Sequence, residues 1–167
     1  MSGSTLVKAK LISEDGGGTI NFMFNPEKLT IKRQLQTNQA KGARTEKGMP
    51  KTTFAHPNPS TLTISNILFD TYETGESVMS HIQQFEKALD FISASEQRPP
   101  TYIFTWGNNK YFRCFIEDLT YDLTMFLPDG TPVRAVINSL KLKEVDESVS
   151  SNSTGVSNPS SSQRSSR

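Results

Sequence analysis

The sequence predicts a mainly β fold of the α+β kind, a barrel of about seven strands with one amphipathic helix packed on its outside. Three observations carry this. Residues 98–145 hold four apolar-rich runs separated by turn chemistry. Val78, Ile82, Phe85, Leu89 and Ile92 recur at steps of four, three, four and three, a single helical stripe. The other apolar runs are short, alternate with polar residues and stop at Gly, Pro or Asn.

In chain order, Leu6 to Ile12 alternates as a strand, and Glu14-Asp15-Gly16-Gly17-Gly18 turns it back. Ile20, Phe22 and Phe24 then keep a period of two, so the first two strands form a hairpin. Asn25-Pro26-Glu27 interrupts, and Leu29 to Arg33 resumes extended chain. Gln36 to Pro59 has little periodicity, several basic residues and three prolines. A structureless stretch of about twenty residues inside a domain is uncommon and usually functional. It is expected to be an arm reaching another subunit, with Phe54 as its anchor. Ser60 to Asp70 is strand-like with Leu62, Ile64 and Leu68 on one face and a break near Asn66. The helix is expected over about 75–93, capped by Thr74 or Ser77 and stopped before Arg98-Pro99-Pro100.

The four closing runs are Tyr102–Trp106, Tyr111–Ile116, Leu119–Phe126 and Val133–Leu142. Gly107-Asn108-Asn109 and Pro128-Asp129-Gly130 supply the turns between them. The domain therefore occupies 1–147. From 148 to 167 half the residues are Ser, a composition that cannot bury enough apolar area to offset ordering, so a disordered tail or linker is expected.

Composition excludes several classes. Net charge is +1, without the basic footprint of a general nucleic-acid binder. One cysteine, Cys114, permits no intrachain disulfide and fits a reducing compartment. The first residues lack the apolar core of a signal peptide, and no stretch is long enough to span or insert in a membrane, so cytoplasmic assembly is expected.

Chemistry is sparse. His56 lies in the arm, and His81 falls beside the helical stripe and is expected to face solvent; neither has ligand-spaced neighbours for a metal. Cys114 shares parity with Phe112 and Ile116 and reads as a small core residue. Glu117-Asp118 point to opposite faces of a strand, unsuited to joint acid–base work. Gly16-Gly17-Gly18 lacks the Lys-Ser/Thr of a phosphate loop. No catalytic, cofactor or metal residues are assigned.

FNPEKLTIKRQ (Phe24 to Gln34), PSTLTISNILFDTYE (Pro59 to Glu73) and the whole of Arg98 to Val145 occur in an order and spacing that resembles contractile injection system tube-type domains. The resemblance covers about residues 5–146. It implies a fold similar to phage tail-tube proteins, with six copies in a ring around a channel and rings stacked partly through a long loop. Members with this version of the domain look like tube initiators or baseplate-hub proteins, between spike and main tube, and many carry a LysM domain after it. This sequence departs there: the Ser-rich stretch after Val145 resembles the linker that precedes such a domain, and no LysM segment follows. The implied role is structural, without catalysis, and the implied partners are a homo-hexamer, the main tube protein, the spike or hub protein, and baseplate or sheath proteins.

Lys41, Arg44, Lys47, Met49 and Phe54 are the residues assigned to contact between subunits or rings. Pro128, Asp129, Gly130 and Pro132 are assigned to an exposed docking turn. The alternative reading is a monomeric β-barrel module binding a small molecule or carbohydrate on the aromatics around Trp106.

Overall fold

A computed structural model of the chain describes residues 5–146. It is mainly β: strands β1 (Ala9–Ser13), β2 (Thr19–Asn21), β3 (Leu29–Lys32), β4 (Leu35–Arg44), β5 (Pro50–Pro57), β6 (Thr61–Ile64) and β7 (Ile67–Asp70) precede helix α1 (Met79–Lys87). Strands β8 (Tyr102–Trp106), β9 (Asn109–Phe126) and β10 (Pro132–Glu144) follow it. The Ser-rich segment at 148–167 lies outside the described residues. Among them, no helix is long and apolar enough to cross a membrane.

One antiparallel sheet runs β2-β1-β8-β9-β10-β6-β3, with β7 also on β10, and the path does not close on itself. The expected barrel is thus an open sheet wrapped over a core, and the strand count is ten, not about seven. Part of the difference is the arm, where β4 and β5 pair into a separate two-stranded sheet. In the other direction, the runs at 111–116 and 119–126 merge into β9. Their break, Glu117, is taken up by a register shift between Ile116↔Leu142 and Asp118↔Lys141, the extra residue of a bulge.

The break near Asn66 is present, and it changes which residues are buried. Asn66 adopts φ 57. The left-handed residue resets the alternation, so Ile67 and Phe69 face the core and Leu68 is only half-buried. Both β6 and β7 nevertheless lie on β10, at Leu140–Lys143 and Arg134–Ile137. Near the N-terminus, β2 ends at Asn21; Phe22 is buried and Phe24 is exposed, so the period of two stops one residue before the sequence predicts.

The helix is shorter than the stripe implies. Val78, Ile82 and Phe85 are buried, whereas Leu89 and Ile92 are exposed because helix α1 stops at Lys87. Past Ala88 the Ser93 hydroxyl accepts from Glu96 N–H, and Ile92 N–H donates to the Arg98 carbonyl, so local turns outcompete further helix. Val78 occupies the cap position without a side-chain bond, but the Ser77 hydroxyl accepts from Met79 N–H at 3.3 Å. His81 is half-buried, not solvent-facing: its ring stacks on Phe69 with centroids 5.7 Å apart.

The core joins helix to sheet through a chain of rings. Phe85 lies 5.8 Å from both Phe69 and Phe22, Phe22 lies 6.1 Å from Phe104, and Phe104 lies 5.3 Å from Tyr111. Aliphatic residues from the strands, such as Leu11, Leu62, Ile116, Ile137 and Leu140, complete it.

Candidate assembly surfaces

The arm grows out of β3 and returns to β6. Its root is tied by Asn58 N–H donating to the Gln34 carbonyl at 2.9 Å. Thr37↔Phe54, Asn38↔Thr53 and Gln39↔Thr52 hold the strands in register, and a turn at Thr45–Gly48 closes the tip. Gln36 to Pro59 is therefore mostly a β-hairpin, not the structureless stretch the sequence predicts. The sequence conceals this because neither face is buried, and without one apolar face there is no alternation to read. Lys41, Arg44, Lys47, Met49 and Phe54 are all exposed. So are Leu35 and Lys51, and Phe54 keeps 75 % of its surface uncovered.

The turn between β9 and β10 is tight. Gly130 N–H donates to the Leu127 carbonyl at 2.8 Å, and Thr131 N–H donates to Asp129 Oδ1 at 2.9 Å. Gly130 holds φ 88, a backbone state that side chains resist. The Thr131 N–H bond holds the Asp129 carboxyl below the usual carboxylate range. Pro128, Asp129 and Gly130 are exposed, and Pro132 is half-buried.

The loop from Thr71 to Ser77 is strapped to the same end of the sheet. Thr71 N–H donates to the Val133 carbonyl and Val78 N–H to the Pro132 carbonyl, both at 2.8 Å. Arg134 donates from Nε and Nη2 to Asp70 Oδ2 at 2.9 and 2.7 Å. At the opposite end of β10, Ser60 N–H donates to Glu144 Oε2 at 2.8 Å, beside the root of the arm. The arm and the Pro128–Pro132 turn thus sit at opposite ends of one strand and are not brought together within the chain. The Ser60 bonds hold the Glu144 carboxyl below its ordinary range.

Two sheet features escape sequence reading. From Phe115 to Phe126, β9 is paired to β10 on one edge, but β8 reaches only as far as Cys114 on the other. That leaves a long edge without a strand partner among the described residues. The second is a polar face: Thr30, Lys32, Thr61, Thr63, Glu117, Lys141 and Lys143 line a shallow depression of about 490 Å³. Lys141 and Lys143 reach Glu117 at 3.4 and 3.6 Å.

Trp106 is half-buried against the core, and its indole N–H donates to the Val7 carbonyl at 3.1 Å. Its polar handle pins the N-terminal segment, together with Asn25, which accepts from Ala9 N–H and donates to the Val7 carbonyl. Cys114 is fully buried, and burial pushes its thiol up to about 12. An aromatic disulfide reagent is expected to leave the folded protein unlabelled for hours and to react with one thiol at once in denaturant; rapid labelling without denaturant would contradict its packing. Among the described residues no group of three or more His, Cys, Asp or Glu could hold a metal ion.

The family model for contractile injection system tube proteins matches residues 5–152. No curated protein matches the chain.

Proposed function

Because this chain belongs to the family of contractile injection system tube proteins, we propose that it forms a hexameric ring of the inner tube, or of its initiator between spike and tube, without catalysis. The observation that carries this reading is the unpartnered β9 edge from Phe115 to Phe126. Natural sheets blunt or cover such edges, because exposed N–H and C=O groups recruit other strands. The terminal strand β3 has one neighbour, β6, and so offers a second edge two strands beyond β10. Two different edges on one chain suit a head-to-tail contact that closes into a ring. The Thr/Lys/Glu face across β3, β6, β10 and β9 would then line the channel, where a polar wall lets cargo pass without sticking.

The arm and the Pro128–Pro132 turn are the surfaces left for neighbours along the tube axis: further rings, the main tube protein, the spike or hub, and baseplate or sheath proteins. Assembly takes place in the cytoplasm before firing. Native mass spectrometry tests the ring directly, and six chain masses with a central channel in negative-stain images is the expected result. A chain that stays monomeric at every concentration, alone and with its spike protein, would overturn it. Deleting residues 41–54 is expected to leave melting temperature and the number of chains per ring unchanged while abolishing stacking, since the described side chains removed are all exposed. An unfolded deletion variant would count against the arm.

A further inference from the structure

The arm is a hairpin of two strands of ten and eight residues with every described side chain exposed. An isolated two-stranded hairpin is marginal in water. This one also leaves Leu35, Met49 and Phe54 more than half uncovered. It carries Lys41, Arg44, Lys47 and Lys51 against a single acid, Glu46. None of the four cations is in an ion pair among the described residues. The arm is built for a covering surface that is acidic and partly apolar.

The chain carries such a surface. At the far end of β10, the Thr71–Ser77 loop and the β9–β10 turn are bound together by the Thr71–Val133 and Val78–Pro132 hydrogen bonds. They present Glu73, Glu76 and Asp129, exposed and outside any ion pair among the described residues. The one cation there, Arg134, is already held by Asp70. Tyr72 and Phe126, each 54 % exposed, flank the acids. The arm leaves the sheet beside Glu144, and β10 is thirteen residues long, so arm root and acidic end are separated by about 40 Å. Placed at opposite ends of one strand, they match a contact that repeats from copy to copy in one direction.

We infer that the basic arm of one copy docks on the acidic, aromatic-flanked end of a second copy, formed by Tyr72, Glu73, Glu76, Phe126 and Asp129. This rests on the stacked-ring reading and supplies the receptor it lacks. The occupant is a second copy of this chain, because the charge complement is present on the chain itself. The acids and cations are solvent-exposed, so the attraction weakens as salt rises through the physiological range.

The test uses two charge-altered full-length chains. One carries Lys41→Glu, Arg44→Glu, Lys47→Glu and Lys51→Glu; the other carries Glu73→Lys, Glu76→Lys and Asp129→Asn, which keeps the turn's acceptor. Rings are counted by native mass spectrometry and stacks by sedimentation and negative stain. The expected result is intact rings from each, at least tenfold fewer stacks from either alone, and stacks restored on mixing them, because each arm then meets an opposite charge. As a second measurement that survives a folding defect in the altered end, chains with Lys47→Cys and with Glu73→Cys are mixed under oxidation. A disulfide between the two is expected, since Cys114 is buried.

Wild-type rings that do not stack, stacks indifferent to the altered end, or no mixed disulfide would each overturn the docking while leaving the ring. Loss of binding to a single-stranded oligonucleotide on arm reversal, with stacks untouched, would assign the arm to nucleic acid instead. Absence of rings from the wild-type chain would overturn the underlying reading separately.

Discussion

Replacing Phe85 with alanine is expected to remove about 3–5 kcal/mol of stability, the range for deleting a buried aromatic ring. Phe85 is the only aromatic side chain that α1 sends fully into the core, and it joins the rings of Phe22 and Phe69. Only Ile82 accompanies it as a buried residue of that nine-residue helix. The cavity would therefore open where helix and sheet meet, between the rings of Phe22 and Phe69. A domain with about 5–15 kcal/mol in total loses a large share of it. Chemical denaturation of the purified variant measures this, with Phe85→Leu expected to cost much less because most of the volume remains. A loss below about 1 kcal/mol for the alanine variant would show that the helix is not seated as described.

The second large effect concerns Asp15. Its carboxylate accepts from both Nη atoms of Arg98 at 3.2 and 2.8 Å, from Thr101 N–H at 2.7 Å and from the Thr101 hydroxyl at 2.9 Å. The Arg98 bonds, then those from Thr101, hold the carboxyl far below the usual carboxylate range, against the opposing effect of burial. These contacts fasten the β1–β2 turn to the segment entering β8. Removing one partner of a charged hydrogen bond costs about 1.5–3 kcal/mol, so Asp15→Ala should cost about 2–3 kcal/mol near neutral pH.

The pH dependence has a defined sign. The folded-state value is depressed, so the contribution is full above the unfolded value of about 3.9 and is lost as pH falls toward the folded one. Wild type and variant should therefore converge in stability as pH drops below about 4. A difference that stays constant to strongly acid pH would rule out the carboxylate as its source. Asp70, Asp129 and Glu144 are depressed in the same direction. The comparison between the two chains, not the wild-type curve alone, isolates Asp15.

Much of this fold is legible in the sequence where one face of an element is buried. The β8–β9 and β9–β10 hairpins fall where the turn residues place them, with Gly107 and Gly130 at positive φ. The helix is found by Val78, Ile82 and Phe85, and Cys114 packs in the core. What escapes reading has a physical reason in each case. Leu89 and Ile92 continue the helical stripe, but an apolar period reports spacing, not whether a serine beyond it will turn the chain. Leu68 shares parity with Ile64 only on paper, because one left-handed residue at Asn66 shifts the register. The arm is exposed on both faces and so lacks a hairpin signal. The candidate assembly surfaces are legible only in part: the basic and exposed residues stand out in sequence, whereas the approach of the Glu73–Glu76 loop to the Asp129 turn depends on hydrogen bonds between segments far apart in the chain.

Strand β10 is where those distant segments converge, and its position carries a consequence for how the molecule is made. It is the partner of β6, β7 and β9, and the Ser60–Glu144 contact spans 84 residues. Synthesis runs from the N-terminus, so β6 and β7 emerge from the ribosome long before the strand that satisfies them. Until Glu144 is out, the nascent chain holds unfinished edges, and pairing at such separation is slow. A subunit translated only part-way therefore has no completed sheet to offer a neighbour. Late arrival of one strand thus leaves a window in which the exposed edges of β6 and β7 are open to wrong pairing.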